Sequence, residues 1–181
     1  KRDRLTFAML VAIPLMQLLL FGYAINADPK GLPTAVIEAE SSVFTRSYLK
    51  ALENTEYFEI THKALTEAEA DYLMKAGDIL FIINIPSDFE RKLIRGERPQ
   101  ILIESDATDP IASGGALGAA QQALNKSLRH DLKGPLAYLM PEEGPVELRV
   151  HRRFNPESVT QYNTVPGLIG VIMTMTLVMI M

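Results

Sequence analysis

The sequence predicts an α/β domain with a mixed or parallel sheet of about five strands and crossover helices, flanked by transmembrane α-helices. Three observations predict it. Leu5 to Ile25 carries no charged side chain, Val165 to Met181 is a second uncharged run, and the polar middle alternates between strand-like and helix-like apolar spacing. The predicted boundaries are residues 1–27 for a basic flank and first span, 28–161 for the domain, and 162–181 for a second span.

At about 1.5 Å of rise per residue, the first run gives roughly 30 Å of helix, enough to cross a bilayer's hydrocarbon core. Lys1, Arg2 and Arg4 precede it, and basic flanks stay on the cytoplasmic side, so the chain is expected to emerge beyond Ile25 on the far side. A cleaved leader is the rival reading. Against it, the run exceeds the ~7–15 apolar residues of a leader core, Ile25 is a poor small residue two before Ala27, and Pro14 interrupts the middle. Gln17 is the strongly polar side chain of the span; it serves either a helix neighbour or a substrate path. Pro14 can kink the same helix, for gating or merely to fit a bundle.

Asp28 to Pro33 reads as a turn-rich exit. Thr34 to Glu40 reads as a strand, and Ser41 and Ser42 are candidate caps for a helix running to about Asn54. In that helix Phe44, Tyr48 and Leu52 recur at four-residue spacing, as packing on one side requires. Tyr57 to His62 alternates and predicts a half-buried strand. Two capping boxes follow: Thr66 to Glu69 opens a helix stopping at Gly77, and Ser87 to Glu90 opens another stopping at Gly96. Between them, Ile79 to Ile85 is continuously apolar apart from Asn84, the pattern of a central strand covered on both faces. Gln100 to Ser105 supplies the next strand. Ile111 to Lys133 predicts a long helix once past Gly114, Gly115 and Gly118, with Leu117, Ala120, Leu124, Leu128 and Leu132 as its stripe and Gly134-Pro135 as its stop. Val146 to Phe154 alternates as a strand with one wet face. In the second apolar run Pro166 fits a first helical turn, while Gly167 and Gly170 form a small-residue face for another helix. The run is still apolar at Met181, so more chain is expected after it.

Composition narrows the function. An apolar share of 48% and a mean hydropathy of +0.08 suit spans plus a soluble domain rather than a polytopic bundle, and a net charge of -4 without a basic patch argues against nucleic acid. No cysteine is present, so neither a disulfide nor a thiol nucleophile exists. The Gly-rich stretch Ser113 to Ala119 lacks the lysine of a phosphate loop. Asp106 and Asp109, placed at the carboxyl end of a strand, read either as a cation pair or as turn and cap residues. His62, His130 and His151 show no metal spacing, and no Ser lies in Gly-x-Ser-x-Gly. No catalytic, cofactor-binding or metal-binding residue is assigned.

Arg2-Asp3-Arg4 before a run with Pro14, the exit Asn26-Ala27-Asp28-Pro29-Lys30 and the strand Pro33 to Ile37 stand in a familiar order. They continue in Arg153-Phe154-Asn155-Pro156-Glu157 and Val165-Pro166-Gly167-Leu168-Ile169-Gly170. In order and spacing these resemble the N-terminal part of an ABC-2 type ABC transporter permease. The similarity covers essentially all of this chain but only the first half of such a permease. It implies a multi-pass exporter subunit of the bacterial inner membrane, N-terminus cytoplasmic and residues 28–161 periplasmic. The partners implied are an ABC ATP-binding subunit, a second permease subunit, identical or not, the lipid bilayer and, in the branch with a large outside domain, a periplasmic membrane-fusion adaptor. ATP and Mg then reside on the partner ATPase, with no cofactor in this chain. Pro14, Gln17, Pro166, Gly167 and Gly170 are the candidate helix-packing or translocation-path residues. The rival from another class is a membrane-anchored extracytoplasmic sensor or ligand-binding module.

Overall fold

A computed structural model of the chain describes residues 15, 19, 29–39, 41–63, 66–139, 144–159 and 161–180. The expected first span therefore lies outside the described residues, except that Leu15 and Leu19 are helical and exposed.

The elements run β1 (Leu32–Glu38), α1 (Val43–Glu53), β2 (Phe58–Lys63), α2 (Glu67–Ala76), β3 (Phe81–Ile85), α3 (Phe89–Ile94), β4 (Gln100–Asp106), α4 (Pro110–Asp131), a 3-10 turn (Gly134–Leu139), β5 (Glu147–Arg153) and α5 (Gln161–Ile180). The five strands form one mixed sheet in the order β2-β1-β3-β4-β5. β1 pairs parallel with β2 and β3, β4 runs antiparallel to β3, and β5 is parallel to β4. The alternation of strands and helices thus hides one reversal: β3 returns directly to its neighbour β4, with the short α3 between them, instead of crossing over.

The chain moves outward from β1 to β2 and then back across β1 to β3. Crossovers of one hand put the two connecting helices on opposite faces. One face is covered by α1, α3 and α4 over a core that includes Val36, Phe44, Tyr48, Phe81, Ile83, Phe89, Ile101, Ile103 and Leu124. The Phe58 and Phe81 rings meet edge to face at 5.2 Å, an arrangement worth about 0.5–1.5 kcal/mol beyond burial. Among the described residues the other face has only α2, which packs Ala70 and Met74 on Ala35, Ile79 and Ile82. Buried on both faces, β3 is the central strand its apolar run predicts.

Local signals explain most helix ends. Ser42 caps α1 and exchanges bonds with Thr45, and Thr66 caps α2 reciprocally with Glu69. Gly77 closes α2 at φ +82°, with the Asp78 and Gly77 N–H groups donating to the Leu73 and Met74 carbonyls. The second expected capping box does not form. α3 begins at Phe89, which shifts the cap to Asp88, whose side chain makes no cap bond and pairs instead with Lys92 at 2.8 Å.

Three further expectations are corrected. α4 starts at Pro110 and takes Gly114, Gly115 and Gly118 into its interior, because the Asp109 carboxylate caps it by accepting the Ala112 N–H at 3.2 Å. β5 is an edge strand wetter than alternation suggests, with Val150 still 41% exposed. Pro166 lies inside α5 rather than in its first turn, since the helix already begins at Gln161. Among the described residues no helix is long and apolar enough to cross a membrane.

Candidate functional site

The sheet brings the two places where the domain joins the flanking runs to the same end. At that end Leu80 N–H donates to the Pro33 carbonyl (2.8 Å), Asp106 N–H to the Leu80 carbonyl (2.9 Å), and Ala107 N–H to the Arg153 carbonyl (3.1 Å). The row ties the start of β1 to the end of β5. Gly31, at φ +65°, turns the incoming chain into β1 and donates to the Glu56 carbonyl at 2.8 Å.

Arg153 secures the outgoing side. Its Nε donates to Glu104 on β4 and its Nη1 to Asp71 on α2, while Asp71 also holds Lys75 at 2.6 Å. His151 Nδ1 lies 3.5 Å from the same Glu104 carboxylate. The Glu104 bond foremost, and Asp71 behind it, push the guanidinium above its ordinary pKa against the opposing effect of partial burial. Lys75 first and Arg153 second hold Asp71 below the usual carboxylate range. The last residue of β5 is thereby clamped to β4 and to α2, with six residues following Phe154 before the chain reaches α5.

A cleft of about 300 Å³ opens at this end between Leu32, Leu80, Asp106, Thr108, Asp109 and Ser113. Both aspartates are engaged within the backbone. Asp106 Oδ1 accepts the Thr108 N–H (2.8 Å) and hydroxyl, and Asp109 caps α4. Because β4 is reversed, Asp106 stands beside the amino ends of β1 and β3, not at the ligand-binding carboxyl ends of a parallel sheet. Among the described residues no group of three or more His, Asp or Glu side chains is placed to hold a metal.

The carboxyl ends of β1 and β3 lie at the far end. There a cleft of about 590 Å³ is lined by Asn84, Lys92, Arg98, Pro99, Leu102 and Arg149, among others. It is continuous with the face of β4 and β5 that α2 does not cover, where Leu102, Glu104, Arg149 and His151 stand.

Of the residues singled out in the sequence, Pro14 and Gln17 lie outside the described residues. Gly167 and Gly170 are exposed on α5 with open space around them, and the Gly170 carbonyl accepts the Thr174 hydroxyl at 2.8 Å. Sequence reading missed the Arg153 clamp. Arg153 and Asp71 are 82 positions apart, and only the alternation of β5 hinted that Arg149, His151 and Arg153 share a face.

A family model described as ABC-2 family transporter protein matches residues 3–181. YbhS of Escherichia coli, assigned by name as a multidrug ABC transporter permease, is 24% identical over 96% of this chain and 45% of its own length. The inner membrane transport permease YhhJ of Escherichia coli is 32% identical over 51% of this chain and 24% of its own. The chain spans less than half the length of these curated relatives. A crystal structure of a domain assigned to an ABC type-2 transporter of Thermotoga maritima superposes with a TM-score of 0.52 at 20% identity, over 74% of this chain and 99% of that one, a likeness of fold.

Proposed function

Because this chain belongs to the ABC-2 family of transporter proteins, we propose that it forms the amino-terminal part of a permease subunit in an ATP-driven exporter of the bacterial inner membrane. In this reading residues 28–161 are an extracytoplasmic domain, carried by a first span in 1–27 and a second that α5 begins.

The observation that carries the reading is the hydrogen-bonded row from Pro33 through Leu80 and Asp106 to Arg153. A domain whose two connections leave from one end sits directly on two neighbouring helices. Connections at opposite ends would need extra chain to span the seven residues of β1, roughly 23 Å at about 3.3 Å per residue. The family assignment and the inner-membrane naming of YhhJ support the location.

Export then runs by alternating access. ATP and Mg bind a separate cytoplasmic subunit, whose closure moves the permease dimer, and the domain gates or guides the exit of substrate. Gly167 and Gly170 let a neighbouring helix approach α5, and Pro166 bends it by leaving a carbonyl four residues earlier without its helical donor. Pro14 and Gln17 serve the path or the packing of the first span. The far-end cleft, with Lys92, Arg98 and Arg149, is the docking surface for a periplasmic adaptor.

The test is purification of the full-length protein from detergent-solubilised membranes, probed for a co-purifying ATPase and vanadate-sensitive hydrolysis. A stoichiometric ATP-hydrolysing subunit is expected. Its absence from an intact preparation rejects the exporter and leaves the membrane-anchored sensor.

A further inference from the structure

The loop leaving β5 places two unfavourable features on one residue. Phe154 is 56% exposed, and its backbone sits at φ +65°, in the left-handed region that bulky residues rarely adopt. The Asn155 N–H closes a three-residue turn around it by donating to the Arg153 carbonyl at 2.8 Å, the strained hand of that turn.

The strain is held in place from behind. Asn155 is only 5% exposed; its Nδ2 donates to the Val159 carbonyl at 3.2 Å, and its Oδ1 accepts the Val159 N–H at 3.0 Å. On the other side, Arg153 is fixed by Glu104 and Asp71. A turn that only had to leave the strand would be met most easily by glycine with a polar neighbour. Here a rigid turn holds a phenyl ring outward, and strain retained in that way points to a use.

We propose that Phe154 is a lipid-facing anchor, its ring lying in the bilayer interface and seating this end of the sheet on the membrane surface. The proposal rests on the reading that α5 enters the bilayer. Phe154 stands at the end of the sheet where both flanking runs attach, and α5 begins shortly after it at Gln161. From Val165 that helix exposes Leu168, Ile169, Ile172 and Leu177, an apolar surface in want of lipid or a helix neighbour. Arg152, exposed two positions before Phe154, supplies a cation for lipid phosphates. Aromatic rings with basic neighbours are what the water–lipid boundary accommodates best.

The chain contains no tryptophan, so one introduced indole reports one place. Phe154→Trp, Leu168→Trp and Tyr138→Trp are each made in this chain and reconstituted into phosphatidylethanolamine and phosphatidylglycerol vesicles, with and without bromines high on the acyl chains. Tyr138 is 74% exposed in the 3-10 turn that follows α4 toward the far end. Emission from position 154 is expected to shift to the blue and to lose most of its intensity to the brominated lipid, while that from 138 is unchanged. Pro156→Trp, in the same exposed loop, gives the same readout should the first variant not fold. Quenching at 168 with none at 154 or 156 overturns the anchor alone. Absence of quenching at all of these positions overturns the membrane reading and the anchor with it.

Discussion

Tyr48 shows how one residue can be legible as core and still hold a surprise. Its spacing with Phe44 and Leu52 identifies the buried face of α1, and it is 1% exposed. What spacing cannot reveal is the surroundings of its hydroxyl, which has no hydrogen-bond partner among the described residues. Burying the ring stabilises by about 1.5–3 kcal/mol, whereas an unsatisfied hydroxyl costs about 1–3 kcal/mol. Tyr48→Phe should therefore raise stability by about 1 kcal/mol in urea unfolding, and an equal loss would mean the hydroxyl has a partner. The same substitution has a signature in pH. Burial pushes the phenol upward, so the unfolded chain ionises first and stability is lost as pH rises beyond the ordinary value near 10. Removing the hydroxyl should flatten that alkaline fall. Asp106 and Asp109 teach the converse: their types favour a turn and a cap over a cation pair, and their backbone partners assign them to a turn and a cap.

At the level of elements, caps were readable where the first helical residue was unambiguous. Thr66 and Gly77 bracket α2 as their side chain and backbone freedom require. The Ser87 box failed by one residue, because starting α3 at Phe89 makes Arg91 rather than Glu90 the third helical position. The glycines of α4 were misread for a different reason: low helix propensity suggested a late start, but the Asp109 cap and the buried stripe at Leu117, Ala120 and Leu124 outweigh it. Gly115 faces the Tyr57 ring, with a would-be Cβ 3.5 Å from Cε1, whereas Gly114 and Gly118 meet nothing within 4 Å. Replacing each of the latter with alanine should thus stabilise by about 0.5–1 kcal/mol, through backbone entropy alone. Thermal unfolding of the double variant checks this. A lower midpoint would show that the open side of α4 is occupied in the full assembly or that the glycines serve bending.

For the whole molecule, strand existence was legible and strand direction was not. The hydrophobic pattern of Gln100 to Asp106 is the same whichever way β4 runs, yet its reversal decides that β5 ends beside the start of β1. It also brings Arg153 to Asp71. The charges distributed over this architecture share one electrostatic bias. Glu56 beside Lys30, Glu69 under the Thr66 N–H, Asp71 beside Lys75 and Arg153, Asp88 beside Lys92, and Glu147 beside Arg149 are all held below their ordinary values. Unfolding releases every one of them to values near 4, so in the window below that the unfolded chain binds more protons than the folded one. Stability should then rise with pH through this window and be lost as acid takes the carboxylates through their folded values. The partners are exposed, so salt should soften the dependence. Denaturant midpoints between about pH 5 and pH 3 should fall steadily, and in Asp71→Asn the fall should be shallower because one of the depressed groups is gone. A midpoint that stays level across that interval would mean the native pairs are matched in the unfolded ensemble. A fall left unchanged by Asp71→Asn would remove the Arg153 clamp from the acid response while leaving the other four groups to carry it.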